Sequence, residues 1–464
     1  MIEITPETVA QLLYLVHTDP EELQEALGEL RPPDIAEALK ELPPEAAAKV
    51  MAALPFDLAV QVFDEPELTR HRCAIIQHID PRRVGLLIEA MSSDQRADLF
   101  REVEEKDRIR LLATVSEPTR VNLRKLLKYP TSTAGGIMTT EFVSVPSDWT
   151  VHQALVLISE VGGRKETVYA VYVVDPKSEA LVHVVSLREL ITAPREENVM
   201  DIGSRRPPLT VIPDTDREDA ARLISKYNLL AIPVVDAYHH MLGIVTVDDV
   251  IDTLVEEQTE EVQRFGGMEA LDAPYMEISF LGMIRKRAGW LCALFISEML
   301  TATAMQRFEG EIERAAVLAM FIPLVMSSGG NSGSQATSLV IRALSLQEVR
   351  LRDWWRIAMR EVPTGLVLGA ILGLIGFVRI VLWQEMGIFD YGPHAFLLAV
   401  AVGLALVGIV AFGSFAGSML PFMLKRIGFD PASASAPFVA TLVDVTGLVI
   451  YFTVAFAVLH GTLL

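Results

Sequence analysis

The chain has 464 residues, enough for two or three domains, and combines 51% hydrophobic residues with a formal charge of −20. Those two values do not fit one domain: residues 278–464 hold 11 acidic and 13 basic residues, which leaves −22 on residues 1–277. An acidic half ahead of an apolar half argues against nucleic acid and for cationic partners, and the two cysteines, Cys73 and Cys292, lie one in each half, so neither a disulfide framework nor a thiolate metal site is built from them.

The opening segment MIEITPETVAQLL has no basic n-region and no long apolar core, so the N-terminal half is expected to stay in the cytoplasm. Residues 1–130 read as short amphipathic helices. In ALKELPPEAAAKVMAALPFDLAVQVF a Leu-Pro break recurs at Leu42-Pro43 and Leu54-Pro55. Leu, Ala and Val fall at helical spacing between the breaks, and Pro stands where a new helix can begin. HIDPRRVGLLIEAMSSDQRADLFREV continues the pattern with Asp80-Pro81. The prediction is a small α-superhelical stack of the kind that presents a binding surface.

Over residues 135–250 the periodicity changes to short β-type runs. TVYAVYVVD (167–175) and LLAIPVVD (229–236) end in the same Val-Val-Asp, 61 residues apart. Each follows an entry strand, after Met138 or Met200, and a helix-like stretch, VHQALVLI or REDAARLI. Each leads into a strand and helix, VHVVSLRELI or LGIVTVDDVI. This is an internal duplication of a β-α-β-β-α unit, and it resembles a tandem pair of α+β CBS domains, modules that usually sense a ligand rather than catalyse. His183 stands in the first copy where the second has Gly243, which weakens any nucleotide site there. GGRKET (162–167) lacks phosphate-loop spacing. With no nucleophile–base cluster in the sequence, an enzyme is not expected.

An acidic connecting helix is predicted within residues 247–277. In VDDVIDTLVEEQTEEVQRF, Asp249, Asp252, Glu256 and Glu260 fall three or four apart on one face, flanked by Asp248, Glu257 and Glu261. Like charges at this spacing repel unless a cation lies between them; the stripe is either a solvated face or a cation site.

Residues 280–464 form a five-helix transmembrane domain, with spans near 288–308, 315–342, 358–383, 395–424 and 432–462. Arg285 to Arg287, the cluster Arg350, Arg352, Arg356 and Arg360, and Lys425-Arg426 fall in alternate loops. By the positive-inside rule they put the N-terminus in the cytoplasm and the C-terminus outside, Arg307 and Arg314 being a mild exception. The segment PLVMSSGGNSGSQATSLVIRAL interrupts the second span with Gly329 to Gln335, which serves close helix packing or a polar lining. Asp444, in PFVATLVDVTGLVIYF, is satisfied by a neighbouring helix or marks an ion path.

Taken together, YPTSTAGGIMTTEFVSV (129–145), the duplicated module, the acidic helix, FIPLVMSSGGNSGSQA (321–336) and FDPASASAPFVATLVDVTGLVIYF (429–452) resemble the MgtE family of magnesium channels and transporters along essentially the whole chain. The resemblance implies a homodimer in the cell (inner) membrane, with a pore on the twofold axis and the family's pore aspartate at Asp444. It puts the glycine and asparagine motif on Gly329, Gly330, Asn331 and Gln335, and a loop aspartate, a further regulatory Mg²⁺ ligand, on Asp430. The regulatory acids fall on Asp216, Glu218, Asp249, Asp252, Glu257, Glu260 and Glu261, with Glu256 on the same stripe, and on either Asp94 or Asp98. Asn228 departs from the pattern, standing where the family often has an aspartate. Mg²⁺ is hard and sheds water reluctantly, so a pore can hold it largely hydrated between two Asp444 carboxylates, with the Ala440 carbonyl one turn away. The implied function is Mg²⁺ transport, closed when intracellular Mg²⁺ is plentiful. The competing readings are a channel for Mn²⁺, Co²⁺ or Ni²⁺, or a membrane Mg²⁺ sensor that conducts nothing.

Overall fold

Proline sets the rhythm of the N-terminal part. The computed structural model describes residues 6–204, 206–314 and 316–462; residues 1–5 of the opening segment, and position 315, where the sequence places the start of the second span, lie outside them. Contacts divide the chain into two units, residues 1–254 and 255–464. In the first unit, ten short α-helices run from Pro6–Thr18 to Glu117–Leu126 among the described residues. Pro is the first residue of Pro20–Gly28, Pro32–Glu41, Pro44–Ala53 and Pro81–Ala90, where its missing N–H costs nothing. Leu42 and Leu54 lie just beyond the helices Pro32–Glu41 and Pro44–Ala53, in extended backbone, as a following proline favours. Both are buried, so each Leu-Pro break is also a core contact.

Two buried arginines tie the helix ends together. Arg72 donates to the Asp64 and Glu65 carbonyls at 2.9 and 2.8 Å and to Gln95 Oε1 at 2.9 Å. Arg96 donates to the carbonyls of Ile88 at 2.7 Å and Glu89 at 3.1 Å, and to that of Met91. Both satisfy carbonyls at or just beyond helix C-termini, which have no partner within their helix.

The duplicated module follows. Strands β1 (Val143–Pro146), β2 (Ala170–Val174) and β3 (Leu181–Ser186) form one sheet in that order; β1 pairs parallel and β3 antiparallel with β2. In the second copy β4 (Ala231–Val235) and β5 (Met241–Thr246) pair antiparallel. The entry strand predicted after Met200 shrinks to one bridge, Val211 to Val234; Pro207, Pro208 and Pro213 around it have no N–H for a ladder. The shared Val-Val-Asp is a turn device: Asp175 accepts from the N–H of Lys177 and Ser178, and Asp236 from those of Tyr238 and His240. The His183/Gly243 difference also has a packing cause. A Cβ on Gly243 would lie 2.6 Å from the Thr139 carbonyl, whereas the buried His183 meets the Ile202 carbonyl at 2.8 Å. The second copy shares one continuous core with the helical stack, and the first has its own. The helix that leaves β5 is Val247–Phe265. It does not run on through the predicted 247–277, because Gly266 and a left-handed Gly267 (φ 75°) stop it.

Among the described residues of the second unit, five helices are long and apolar enough to cross a membrane: Phe280–Arg307, Ala316–Ser345, Leu351–Glu385, Ala395–Arg426 and Ala436–Leu459. The fourth is the hub. Gly365, Gly369 and Gly373 of the third lie against Ala411, Val407 and Gly403. Gly329 and Gly333 of the second lie against Gly413 and Gly417, where a Cβ on Gly417 would fall 2.2 Å from the Gly333 carbonyl. Small residues one turn apart let two backbones touch. This corrects the expectation that Gly329 to Gln335 interrupt the second span: Ile322–Ser345 is one unbroken helix. Out of water every backbone group needs a partner, and the helix supplies it.

Gly417→Ala therefore overpacks a backbone contact and is expected to cost about 1–3 kcal/mol or more, read as a clear fall in melting temperature in detergent. Gly289→Ala, whose Cβ meets nothing within 4 Å, is expected to be neutral or slightly stabilising.

Candidate functional site: a polar seam and a buried carboxylate cluster

Three contacts fix how the second and fifth membrane helices pass. Ser334 Oγ donates to the Ala436 carbonyl at 3.4 Å. A Cβ on Gly330 would lie 3.5 Å from Ala440, and one on Gly447 would lie 3.2 Å from Met326 Sδ. Numbers rise along one helix as they fall along the other, so the pair is antiparallel. Asp444, one turn beyond Ala440, comes level with Met326 and Ser327. It is half-buried, and among the described residues no hydrogen bond or ion pair satisfies its carboxylate.

The glycine and asparagine motif divides between two faces of its helix. Gly329, Gly330 and Gly333 are buried and make room for neighbouring helices. Ser327, Asn331 and Gln335 are exposed at four-residue spacing, with Asn331 Nδ2 3.5 Å from Ser327 Oγ. Beside the half-buried Ala440 and Asp444 they make a polar seam on a surface of membrane helices.

One residue of this region is missed by the sequence analysis. Trp290 of the first helix donates to Ser435 at 3.1 Å and its ring lies 6.4 Å from that of Phe438. Phe308, at the far end, stacks on Phe452 at 4.8 Å. That parallel register brings Glu298 to the depth of Asp444, and their charges interact. An acid inside WLCALFISEMLTATAM is readable by the same rule that singles out Asp444.

In the first unit the structure separates the two N-terminal candidates. Asp98 pairs with Arg101 at 2.6 Å. Asp94 is 9% exposed, and its Oδ1 has no hydrogen-bond partner among the described residues. Burial first, then the charge of Asp64, push its carboxyl up to about 7, with Asp98 and Glu141 adding to the effect. Asp249 is raised well above the usual carboxylate range by burial and by Asp94, although the Thr246 hydroxyl donates to it at 2.6 Å. Glu141 is raised by burial too, with Arg96 at 3.9 Å opposing. Asp94 and Asp249 thus lie within electrostatic reach of one another, and Glu141 and the exposed Glu166 feel the same charges. A buried carboxylate oxygen without a donor suits a hard cation and its water shell. Glu141, within YPTSTAGGIMTTEFVSV, and Glu166, within GGRKET, carry no ligand spacing of their own; only folding brings them here.

The remaining predicted ligands are not gathered into one site. Asp216 caps the helix Arg217–Tyr227, accepting from the Glu218 N–H at 2.8 Å, and Glu218 pairs with Arg222 at 2.7 Å. Asn228 ends that helix in left-handed backbone (φ 52°), a conformation Asn tolerates well. On the connecting helix Asp252 and Glu256 are exposed and Glu257 half-buried. Glu260 pairs with Arg264 at 2.6 Å, Arg264 also pairs with Asp430, and Glu261 accepts from Ser345. Among the described residues no three His, Cys, Asp or Glu side chains are arranged to hold a metal ion.

Family models match in the same order as these parts. Residues 30–132 match the MgtE intracellular N domain, 134–196 and 199–256 the CBS domain, and 322–454 MgtE, described as a divalent cation transporter. The magnesium transporter MgtE of Thermus thermophilus is 40% identical over 78% of this chain and 79% of its own length. That of Enterococcus faecalis is 37% identical over 72% and 70%, and that of Bacillus subtilis 30% over 85% of each. Among solved structures, the cytosolic domain of the Mg²⁺ channel MgtE in complex with ATP is 33% identical, covering 53% of this chain and 99% of that one with a TM-score of 0.49. With 40% identity shared across four fifths of a relative's length, and with the helical stack, CBS pair and five membrane helices in place, the chain belongs to the MgtE family of magnesium transporters.

Proposed function

We propose that the chain conducts Mg²⁺ across the cell membrane along the seam of Asp444, Ala440, Asn331 and Gln335, and that Mg²⁺ bound by its acidic domains closes that path. Residues 1–130 and 135–250 sense the ion, 247–277 couple, and 280–464 conduct. The observation that carries this reading is Asp444, an intramembrane carboxylate with no fixed base among the described residues, beside a stripe of exposed amides and hydroxyls on the second helix. Such a stripe does not face lipid tails. A second copy of the chain, related by a twofold axis, turns the two stripes toward one another and sets two Asp444 carboxylates across a common path. Mg²⁺ keeps most of its water, so two opposed carboxylates and nearby carbonyls are enough; a cage of three side chains in one chain is not needed. Two negative charges attract a divalent ion about twice as strongly as a monovalent one at the same distance.

The basic loops put the acidic half in the cytoplasm. With −22 on residues 1–277, the charge of one copy repels that of the other, and Asp94 and Asp249 repel within one copy. A cation between carboxylates reverses the sign of each contact. Closure follows when Mg²⁺ binds the compact arrangement more tightly than the splayed one, since an ion shifts an equilibrium only by its differential affinity. The relatives named as magnesium transporters support Mg²⁺ as the ion.

Asp444→Asn removes one charge from each copy at the path. Mg²⁺ uptake into liposomes is expected to fall at least about tenfold, equivalent to ~1.4 kcal/mol, while the protein elutes as wild type on size exclusion. Undiminished uptake moves the site away from Asp444.

Asp94→Asn is expected to raise the melting temperature in Mg²⁺-free buffer, because it removes a carboxyl whose ionised form burial disfavours, and to shrink the rise that Mg²⁺ produces in wild type. The pH dependence has a definite sign. With its folded pKa near 7 and an unfolded value near 4, the protonated Asp94 favours the folded state at low pH, and this is lost as pH rises through about 7. The Mg²⁺-free gap between Asp94→Asn and wild type therefore widens from pH 5 to pH 8; a constant gap rejects the buried cluster.

A further inference from the structure

The connecting helix is fastened to both helices of the proposed path, by different means. At the end of the second, Ser345 Oγ donates to Glu261. At the start of the fifth, Arg264 donates to Asp430 while holding Glu260 at 2.6 Å. Asp430 is structurally committed as well. Its Oδ1 accepts the Ala432 N–H at 2.8 Å and starts the turn Pro431–Ser433; Ser435, just beyond, caps the fifth helix and accepts from Trp290. Glu257 is near enough for its charge to act on the same guanidinium. Glu260 and Asp430, both expected as ligands of a regulatory Mg²⁺, thus already share a cation, and it is covalently part of the chain.

We infer that Arg264 is a built-in counter-ion that positions the loop before the fifth helix against the connecting helix when no divalent ion is bound. This rests on the gating reading above. A guanidinium stays charged at any physiological pH and its fork serves two carboxylates at once. It also does not dissociate, so it holds this contact at zero Mg²⁺ and sets a floor under closure. Mg²⁺ then acts where no fixed base sits between the acids, as at Asp94 and Asp249. The side chains of Arg264 and Asp430 are 38% and 36% exposed, so the clamp is modest and weakens with salt. It biases the closed state rather than locking it.

The test uses the full-length protein in planar bilayers, with Mg²⁺ titrated on the side of the acidic domains. Arg264→Gln leaves Glu257, Glu260 and Asp430 facing one another. Flux without Mg²⁺ on that side is expected to rise roughly two- to fivefold, while flux at saturating Mg²⁺ stays at the wild-type level, because the freed carboxylates now bind the ion. Arg264→Lys keeps the charge and is expected to stay near wild type. The double variant Arg264→Asp/Asp430→Arg restores the pair in reverse, and is expected to behave more like wild type than Arg264→Asp alone. That comparison decides the matter even where Arg264→Gln folds poorly. A gated wild type whose curve coincides with that of Arg264→Gln, a fall in Mg²⁺-free flux, or a swap no better than Arg264→Asp overturns this inference alone. A wild type indifferent to Mg²⁺ on that side overturns the gating reading, and this inference with it.

Discussion

A carboxylate that leaves water without a base beside it costs several kcal/mol, and the chain accepts that cost in both of its units. Asp444 and Glu298 sit at one depth in the membrane helices, and the charge of Asp94 acts on the buried Asp249 in the acidic half. Arginine is not scarce nearby. Arg72 and Arg96 are buried in the helical stack, yet most of their hydrogen bonds go to backbone carbonyls at helix ends. The bases close to the acids are occupied in holding the fold, which leaves a mobile cation as the species that relieves the charge.

In the membrane half, packing and the proposed permeation path draw on one motif. The glycines at 329 and 333 bring the second helix onto the fourth at backbone contact, and that close approach fixes its rotation. With the glycines turned inward, 3.6 residues per turn put Ser327, Asn331 and Gln335 outward. Replacing the glycines with larger residues displaces the amides as well as loosening the bundle. The fifth helix takes its height from contacts at both ends, Ser435 with Trp290 and Phe452 with Phe308. Asp444 is held level with the polar stripe by residues that never touch an ion.

Much of this architecture was legible in the sequence, because it is written locally. A proline at a helix start, a Val-Val-Asp repeat and an acid within an apolar run each act within a few residues. What was not legible depends on partners far away in the chain. The different surroundings of Asp94 and Asp98 come from Arg101, which pairs with Asp98, and from Asp249, which feels the charge of Asp94. The continuity of the second helix turns on Gly413 and Gly417, some 80 residues on, accepting its glycines; in isolation Gly-Gly-Asn-Ser-Gly reads as a break. Arg264 and Asp430 are 166 residues apart, and nothing in either neighbourhood announces the pair. Glu298 is different, since the apolar run around it carried the signal.

A gate made of repelling carboxylates needs a set point as well as a sensor. In the gate proposed above, repulsion alone, at −22 per acidic half, would open a paired assembly as soon as ions leave, and ion binding alone would make closure track concentration with no floor. One fixed positive charge at a contact between the connecting helix and the loop before the fifth helix changes the balance. On the proposed gating it supplies part of the closing free energy at every ion concentration, so fewer bound ions would be needed to complete closure. On that proposal, moving this single charge toward or away from Asp430 shifts the threshold and leaves Asp94, Asp249 and Asp444 unchanged. The set point and the sensor are therefore separable in the sequence, on different residues of one continuous helix.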